Sequence, residues 1–338
     1  DYHKRFINYL KWYHSNDING CCAQTDSKGD RLKRPHEQPN PDAYVHILEE
    51  IADGIIVNGY KMSITQGAYA DELFVLPTRA LQEKDRSFAV AFAIPADAEG
   101  VRLVTRPVWL RDKDDSAASP FCRYGVSDSV VIFDRVFVPR DRVFMCGEWQ
   151  FGRRLALLFA DSHRHSYCGC KPAVSDILCG ATILAAEANN VAKASHVKEK
   201  LAEFAAAASL AYAAGVAAAV FGAKTASGVF FPNTVYANVG RRLTGELIYH
   251  EYNLLVEIAG GIAATLPFHE DFKTGENVQR LKEFIVRNTE FSAEESIKIW
   301  KFVEDLSTSP MASWYKIAGV HGGGSPIMET IALNIEYD

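Results

Sequence analysis

From Tyr44 to Phe144 apolar and polar residues alternate in short runs, whereas after Pro139 apolar residues recur at helical spacing in long tracts. The period of two predicts strands, and Val45 to Ile51 with Ile55 to Met62 flank Asp53-Gly54 as a hairpin would. Glu72 to Pro77, Ser87 to Ile94, Val101 to Val108 and Ser129 to Val138 are further runs rich in Val, Phe and Ile, separated by turn residues such as Asp97 to Gly100. Together they predict an antiparallel β domain of roughly 100 residues. The longer period predicts helices over Gly152 to Ala160, Pro172 to Ala188, Ser195 to Gly222, Pro232 to Ala259, Val278 to Arg287 and Ala293 to Leu306. Ser195, Pro232 and Gly260-Gly261 supply start and stop signals. Asp1 to Trp12 is also amphipathic at helical spacing.

Composition narrows the class. With 338 residues, 48% hydrophobic and 23% charged, the chain can bury a large core and form about two domains. A net charge of -6 and a pI near 6.0 leave no basic footprint for nucleic acid or an anionic membrane. The longest apolar tract, Ala205 to Gly222, is dominated by alanine and contains Ser209 and Tyr212, which fits a buried helix better than a membrane span. Asp1 is preceded by no initiator methionine or targeting signal, so the true amino terminus is expected upstream. Seven cysteines, an odd number without a secretory signal, point to reduced thiols and a cytoplasmic setting. Cys21 with Cys22 and Cys168 with Cys170 form close pairs, suited to ligation rather than to bridging each other.

The densest chemistry lies in His163-Arg164-His165-Ser166-Tyr167-Cys168-Gly169-Cys170-Lys171-Pro172. His163 and Cys170 are seven residues apart, so a helix puts them on one face about 10.5 Å apart along its axis. An imidazole and a thiolate reaching toward each other across that gap suit an iron-sulfur cluster better than a single ion. His165 and Cys168 would point elsewhere. Spacing alone leaves open a chance polar cluster in which Cys168 and Cys170 are small buried hydrophobes, and a zinc site of unusual spacing.

Other segments offer weaker signals. Gln24 to Arg31 gathers hydroxyl, carboxylate and cationic groups around Gly29 and could meet a phosphate or a flavin edge, or be a solvated turn. Ser63 to Gly67 follows a strand, and turn chemistry explains it equally well. Gly260-Gly261 could admit a nucleotide's backbone closely or simply stop a helix. The triglycine loop His321 to Pro326 is costly to order unless a ligand approaches it. No Rossmann fingerprint, Walker lysine or nucleophile elbow is present.

Taken together, Thr25 to Arg31, His163 to Lys171, Ala192 to Lys198, Ile258 to Gly261 and His321 to Pro326 resemble the 4-hydroxybutyryl-CoA dehydratases of the 4-hydroxyphenylacetate 3-hydroxylase family, over essentially the whole chain. The resemblance implies an α+β, acyl-CoA dehydrogenase-like fold. Its parts would be the end of an N-terminal helical domain in 1–20, a β domain in 21–145 and a C-terminal helical bundle in 146–338. It implies His163 and Cys170 as two ligands of a 4Fe-4S cluster. It implies FAD held by Gln24, Thr25, Asp26, Lys28, Gly29, Asp30 and Arg31, by Thr65, by Ala259, Gly260 and Gly261, and by His321, Gly322 and Gly323. A homotetramer acting on an acyl-CoA would follow, converting 4-hydroxybutyryl-CoA to crotonyl-CoA by radical dehydration and isomerising vinylacetyl-CoA. His163 would be the base, with Tyr167 and Lys171 assisting.

The chain departs from that pattern in places. Two further cysteine ligands are expected upstream of Asp1, and Cys21 and Cys22 do not replace them. Asp128 stands where the family has a catalytic glutamate, Ala318 where it has a second, and Cys168 where it usually has glycine. Two alternatives follow: a reduced-flavin-dependent aromatic 3-monooxygenase, which has no use for His163 and Cys170, and an inactive homologue that retains the fold.

Overall fold

The alternating runs form two four-stranded sheets in a computed structural model that describes residues 1–106, 121 and 125–337. Gly20–Ala23 (β1), Glu72–Val75 (β4), Val90–Pro95 (β5) and Val143–Cys146 (β8) make one sheet in the order β1-β4-β5-β8. His46–Ile51 (β2), Gly54–Thr65 (β3), Asp128–Pro139 (β7) and Val101–Thr105 (β6) make the other in the order β2-β3-β7-β6. The hairpin at Asp53-Gly54 forms as expected, with Ile51 opposite Gly54. Alternation turns one face of each strand inward, so Val57, Leu73, Val75, Phe92, Val131 and Phe133 close a shared core.

Two expectations about strands need correction. The β region is not purely antiparallel, because β1 pairs with β4 in parallel. Asn19 accepts from the backbone N–H of Asp71 at 2.7 Å, while its own N–H donates to the Asp71 carboxylate at 2.9 Å. These bonds bring the chain into the sheet edge at the end where β4 begins. The run from Ser87 starts its strand only at Val90, because Glu83–Phe88 is a 3-10 turn wound around Asp85. The end of the expected strand Val101 to Val108 lies partly outside the described residues.

Asp85 is fully buried. It meets Arg34 at 2.5 Å and His36 at 2.6 Å and accepts from the N–H of Gln82 at 3.0 Å. Burial alone would raise its pKa, but the bonds from His36, Arg34 and Gln82 outweigh burial and hold the carboxyl below the ordinary value. A depressed folded pKa contributes stability that is present above the unfolded value of about 3.9 and is lost as pH falls through the folded value. Asp85→Asn is therefore expected to flatten the acid limb of the stability curve below about pH 4, read by urea unfolding across pH. An unchanged acid limb would refute that role.

Tyr2–Ser15 (α1) lays its apolar face on the first sheet, with the Tyr9 ring 5.2 Å from Phe74 and its hydroxyl donating to Glu72 at 2.9 Å. Arg142 closes the same carboxylate at 2.7 Å.

The helical tracts are Gly152–Ala188 (α2), Ser195–Val220 (α3), Thr234–Ala259 (α4), Val278–Ile285 (α5) and Ala293–Thr308 (α6), followed by Pro310–His321 (α7) and Pro326–Glu336 (α8). The last two were not expected from periodicity. Asn233, directly after the expected start signal Pro232, caps α4, and Ser292 with Glu295 forms a capping box on α6 that was not expected; Ser195 opens α3 without a cap bond, the cap position being Ala194. The expected break between Ala160 and Pro172 does not occur, since α2 runs through Pro172. Its ring costs roughly 3 kcal/mol in a helix interior. Tyr167, Cys168 and Lys171, just before it, are buried. Trp149–Ala188 and Ser195–Val220 are long and apolar enough to cross a membrane by length and composition alone. Cys168 of α2 packs against Gly215 of α3, yet Leu210, Tyr212, Val216 and Val220 are exposed, so the expectation of a buried helix over Ala205 to Gly222 does not hold. By contact density the chain divides into one unit of Asp1–Pro107 with Val126–Phe159 and another of Val108–Gly125 with Ala160–Asp338.

Candidate functional site

At 3.6 residues per turn His163, Tyr167 and Cys170 fall within about 60° on α2, with Lys171 beside them. The structure builds a cluster on that face around the Tyr167 ring. His163 stands 5.1 Å from it between centroids, the Arg241 guanidinium of α4 lies over it at 4.6 Å, and Lys171 Nζ is 5.3 Å from its centre. The Tyr167 hydroxyl donates to the Ala318 carbonyl at 3.0 Å. A Cβ on Gly322 would overlap that hydroxyl, so the triglycine loop can sit here only as glycine. Arg164 ties the loop down by donating to the Gly323 carbonyl at 2.9 Å, to Asn238 at 2.8 Å and to Asp161 at 3.2 Å.

Electrostatics follow from this crowding. Burial, then the cations Arg241 and Arg164, push the His163 imidazole down to about 4, so it is neutral at pH 7. Burial pushes Lys171 down to about 8; Cys170 and Glu251 oppose the fall and Arg241 deepens it, leaving mostly ammonium at pH 7. Cys170 is exposed on the helix, yet desolvation by its neighbours raises its thiol, and Lys171 and Arg241 draw it back. Behind Lys171, Ser175, Thr244, Ile248 and Glu251 line a small hollow with room for about one water, where the Ser175 hydroxyl donates to Glu251 at 2.6 Å.

His165 and Cys168 point away from this face, as the spacing predicts. His165 Nε2 sits 3.2 Å from the Gly215 carbonyl. Cys168 is buried, and a Cβ at Gly215 or Gly240 would come within 2.7 or 2.5 Å of it. Its place is therefore a packing one, wedged where α3 and α4 have no side chains. Among the described residues no three His, Cys, Asp or Glu side chains gather to hold a metal ion.

The expected flavin segments fall into separate places. In the first unit Asp26 is buried and paired with Lys61 at 2.7 Å, while Lys61 also donates to the carbonyls of Gln24 and Leu76 at 2.8 and 2.7 Å. Burial lowers Lys61, and Asp26 counters it. Thr25 accepts from the N–H of Met62 at 2.8 Å. Gly29 adopts φ +50 against Gln38, whose Oε1 accepts from the N–H of Asp30 at 2.9 Å. Lys28 is lowered by burial, by Arg31 and by Arg79, with Asp26 opposing. Three cations thus converge on a loop whose buried carboxylate is already taken by Lys61. Thr65 is opposite Asp128 in the β3–β7 ladder, and the buried Asp128 Oδ1 has no hydrogen-bond partner among the described residues.

In the second unit His321 is exposed, while Gly322 and Gly323 join the Tyr167 cluster. Ala259, Gly260 and Gly261 do not. They end α4 eighteen residues beyond Arg241, about 27 Å along the helix, with open space around both glycines.

Comparison with known proteins places this geometry. Models for the 4-hydroxyphenylacetate 3-hydroxylase N-terminal and C-terminal regions match residues 1–145 and 153–338. The chain belongs to the 4-hydroxyphenylacetate 3-hydroxylase family. It is 35% identical to 4-hydroxybutyryl-CoA dehydratase/vinylacetyl-CoA-Delta-isomerase of Clostridium aminobutyricum, over 98% of this chain and 70% of that protein. An oxygen-tolerant archaeal 4-hydroxybutyryl-CoA dehydratase from N. maritimus superposes with a TM-score of 0.92 at 33% identity, over 99% of this chain and 67% of that one. The oxygenase component of 4-hydroxyphenylacetate 3-monooxygenase, solved with FAD, superposes with a TM-score of 0.91 at 25% identity, over 100% and 71%. The chain therefore spans about two thirds of these relatives. Glutaryl-coenzyme A dehydrogenase, at 14% identity and a TM-score of 0.56, shares the fold alone. The fold is thus α+β and of the acyl-CoA dehydrogenase-like kind, and family membership makes this an enzyme.

Sequence reasoning missed Arg241, Lys61 and the role of Arg164. A signal existed for the first: Gly240-Arg241 and Gly245 in a helical tract leave room beside a cation. Lys61 gave none, because a lysine in an alternating strand looks solvent-facing until a carboxylate is found beneath it.

Proposed function

We propose that the chain belongs to a cytoplasmic homotetrameric enzyme that uses FAD and a 4Fe-4S cluster to dehydrate 4-hydroxybutyryl-CoA to crotonyl-CoA and to isomerise vinylacetyl-CoA. The observation that carries the proposal is the shared face of α2, where a neutral His163 and Cys170 flank Tyr167, in a chain 35% identical to such a dehydratase. The donor set fits the cluster, since an unprotonated imidazole and a thiol are ligands iron accepts. Two further cysteines would come from outside this chain segment. The first unit fits FAD: Lys28, Arg31 and Arg79 supply positive charge for a pyrophosphate, and Thr65 and Asp128 offer polar groups at a strand end.

Bound FAD supplies one-electron chemistry, and a bound cluster supplies a Lewis acid for a leaving hydroxyl. The chain's own residues do the rest. His163, neutral at pH 7, can ligate or take the proton next to the thioester carbonyl. Lys171, mostly an ammonium at that pH, balances negative charge and can return a proton. Tyr167, pinned by the Ala318 carbonyl and by Gly322, fixes where the substrate must lie. Asp128, whose buried Oδ1 has no hydrogen-bond partner among the described residues, is the candidate acceptor in the first unit.

The test is the full-length protein purified without oxygen. Iron, acid-labile sulfide, a brown absorbance beyond that of flavin and formation of crotonyl-CoA are expected. His163→Ala and Cys170→Ala are expected to lose iron and activity while keeping FAD. A yellow, iron-free wild type that hydroxylates a phenol would replace this reading with the monooxygenase one, which the likeness to the FAD-bound oxygenase component favours. A protein that binds neither cofactor would support an inactive homologue.

A further inference from the structure

Arg241 is completely buried, yet its guanidinium is only partly bonded. Its Nε donates to the Gly322 carbonyl at 2.8 Å and lies 3.5 Å from Glu329 Oε1, while Nη1 and Nη2 have no hydrogen-bond partner among the described residues. Leaving two charged N–H groups unmade in the interior carries a desolvation penalty that an anionic partner would relieve. The side chain is also held in place. It stacks over Tyr167 at 4.6 Å, and Nη1 occupies the space left by Gly245, where a Cβ would come within 2.6 Å of it.

The surrounding charge does not balance this cation. Arg164 is already committed to Asp161, Asn238 and Gly323, and Lys171 adds a second positive group against the same tyrosine. Glu329 is the buried carboxylate beside Arg241, and burial raises its pKa, which weakens it as a counter-charge. Arg241 covers the same Tyr167 ring that His163 meets at 5.1 Å between centroids.

We propose that Arg241 is the fixed counter-charge of the site, its two unbonded Nη groups donating to the anionic centre that His163 and Cys170 hold. It is a positioning residue, and the proposal rests on the iron-sulfur reading above. Thiolate-ligated clusters carry net negative charge that grows on reduction, and a buried guanidinium favours the reduced form.

The test uses the full-length protein purified without oxygen, with iron and sulfide measured per chain and the cluster's midpoint potential read by spectroscopic titration. Arg241→Gln is expected to lower the potential by about tenfold in the reduction equilibrium, 59 mV for a one-electron couple. Arg241→Lys should fall less. Glu329→Gln should move the potential the opposite way, because it removes the competing carboxylate, and a merely structural role would not reverse sign. If Arg241→Gln does not fold, the other two variants carry the comparison. Equal potentials in iron-loaded wild type, Arg241→Lys and Glu329→Gln would overturn the role of Arg241 and leave the cluster reading standing. A wild type without iron would overturn both.

Discussion

Lys61→Ala is expected to destabilise the first unit by about 3–5 kcal/mol, the cost of removing one partner from a buried ion pair. The lysine is 1% exposed and Asp26 is 3% exposed, so water cannot replace the lost charge. The same Nζ also ties the carbonyls of Gln24 and Leu76 together, and its loss should loosen the loop from Gln24 to Arg31 and weaken FAD uptake. Denaturant unfolding and flavin retention measure the two effects. Replacing both partners, Lys61→Met with Asp26→Leu, should recover much of the stability without recovering the flavin, because apolar isosteres are tolerated where a lone buried charge is not. A loss below about 1 kcal/mol in Lys61→Ala would mean that the pair behaves as a surface pair.

Gly322→Ala should reduce kcat/KM for the proposed dehydration by roughly 10²-fold, the scale of an ångström-sized misplacement. The new methyl would meet the Tyr167 hydroxyl and crowd the Ala318 carbonyl. The ring cannot swing aside, since Arg241 covers it and the Lys171 ammonium stands beside it. The stability cost should stay within about 1–3 kcal/mol, as for other overpacked sites. Adding Tyr167→Phe removes the colliding oxygen, so the double variant should be more stable than the sum of the singles. Strict additivity would show that the two groups do not meet.

Much of this architecture can be read in the residues, and the exceptions have physical causes. The hairpin at Asp53-Gly54 is local chemistry, legible because turn residues act within a few positions, whereas the caps at Asn233 and Ser292 were not legible and Ser195, a start signal in the sequence, makes no cap bond. Nor was the continuous α2, because Pro172 is a local penalty, whereas the burial of Tyr167 and Lys171 just before it is tertiary. The parallel pairing of β1 was hidden because strand direction depends on where Asn19 is anchored, fifty-two residues away from Asp71.

The placement of His163, Tyr167 and Cys170 on one side of a helix followed from spacing, as did the turning away of His165 and Cys168. What spacing could not reveal was the cation above the tyrosine, since Arg241 reaches it from another helix. Nor could it show that Ala259 to Gly261 end that helix far from the tyrosine.

Cys168 lies against Gly215 of α3 and Gly240 of α4, where an added Cβ would come within 2.7 or 2.5 Å of it. A residue one atom larger would pry those helices outward, and Arg241, next in line after Gly240, would lift from the aromatic ring it covers. The stack of Arg241 on Tyr167 is thus gauged from behind, and re-spacing it begins at a buried thiol on the opposite side of α2.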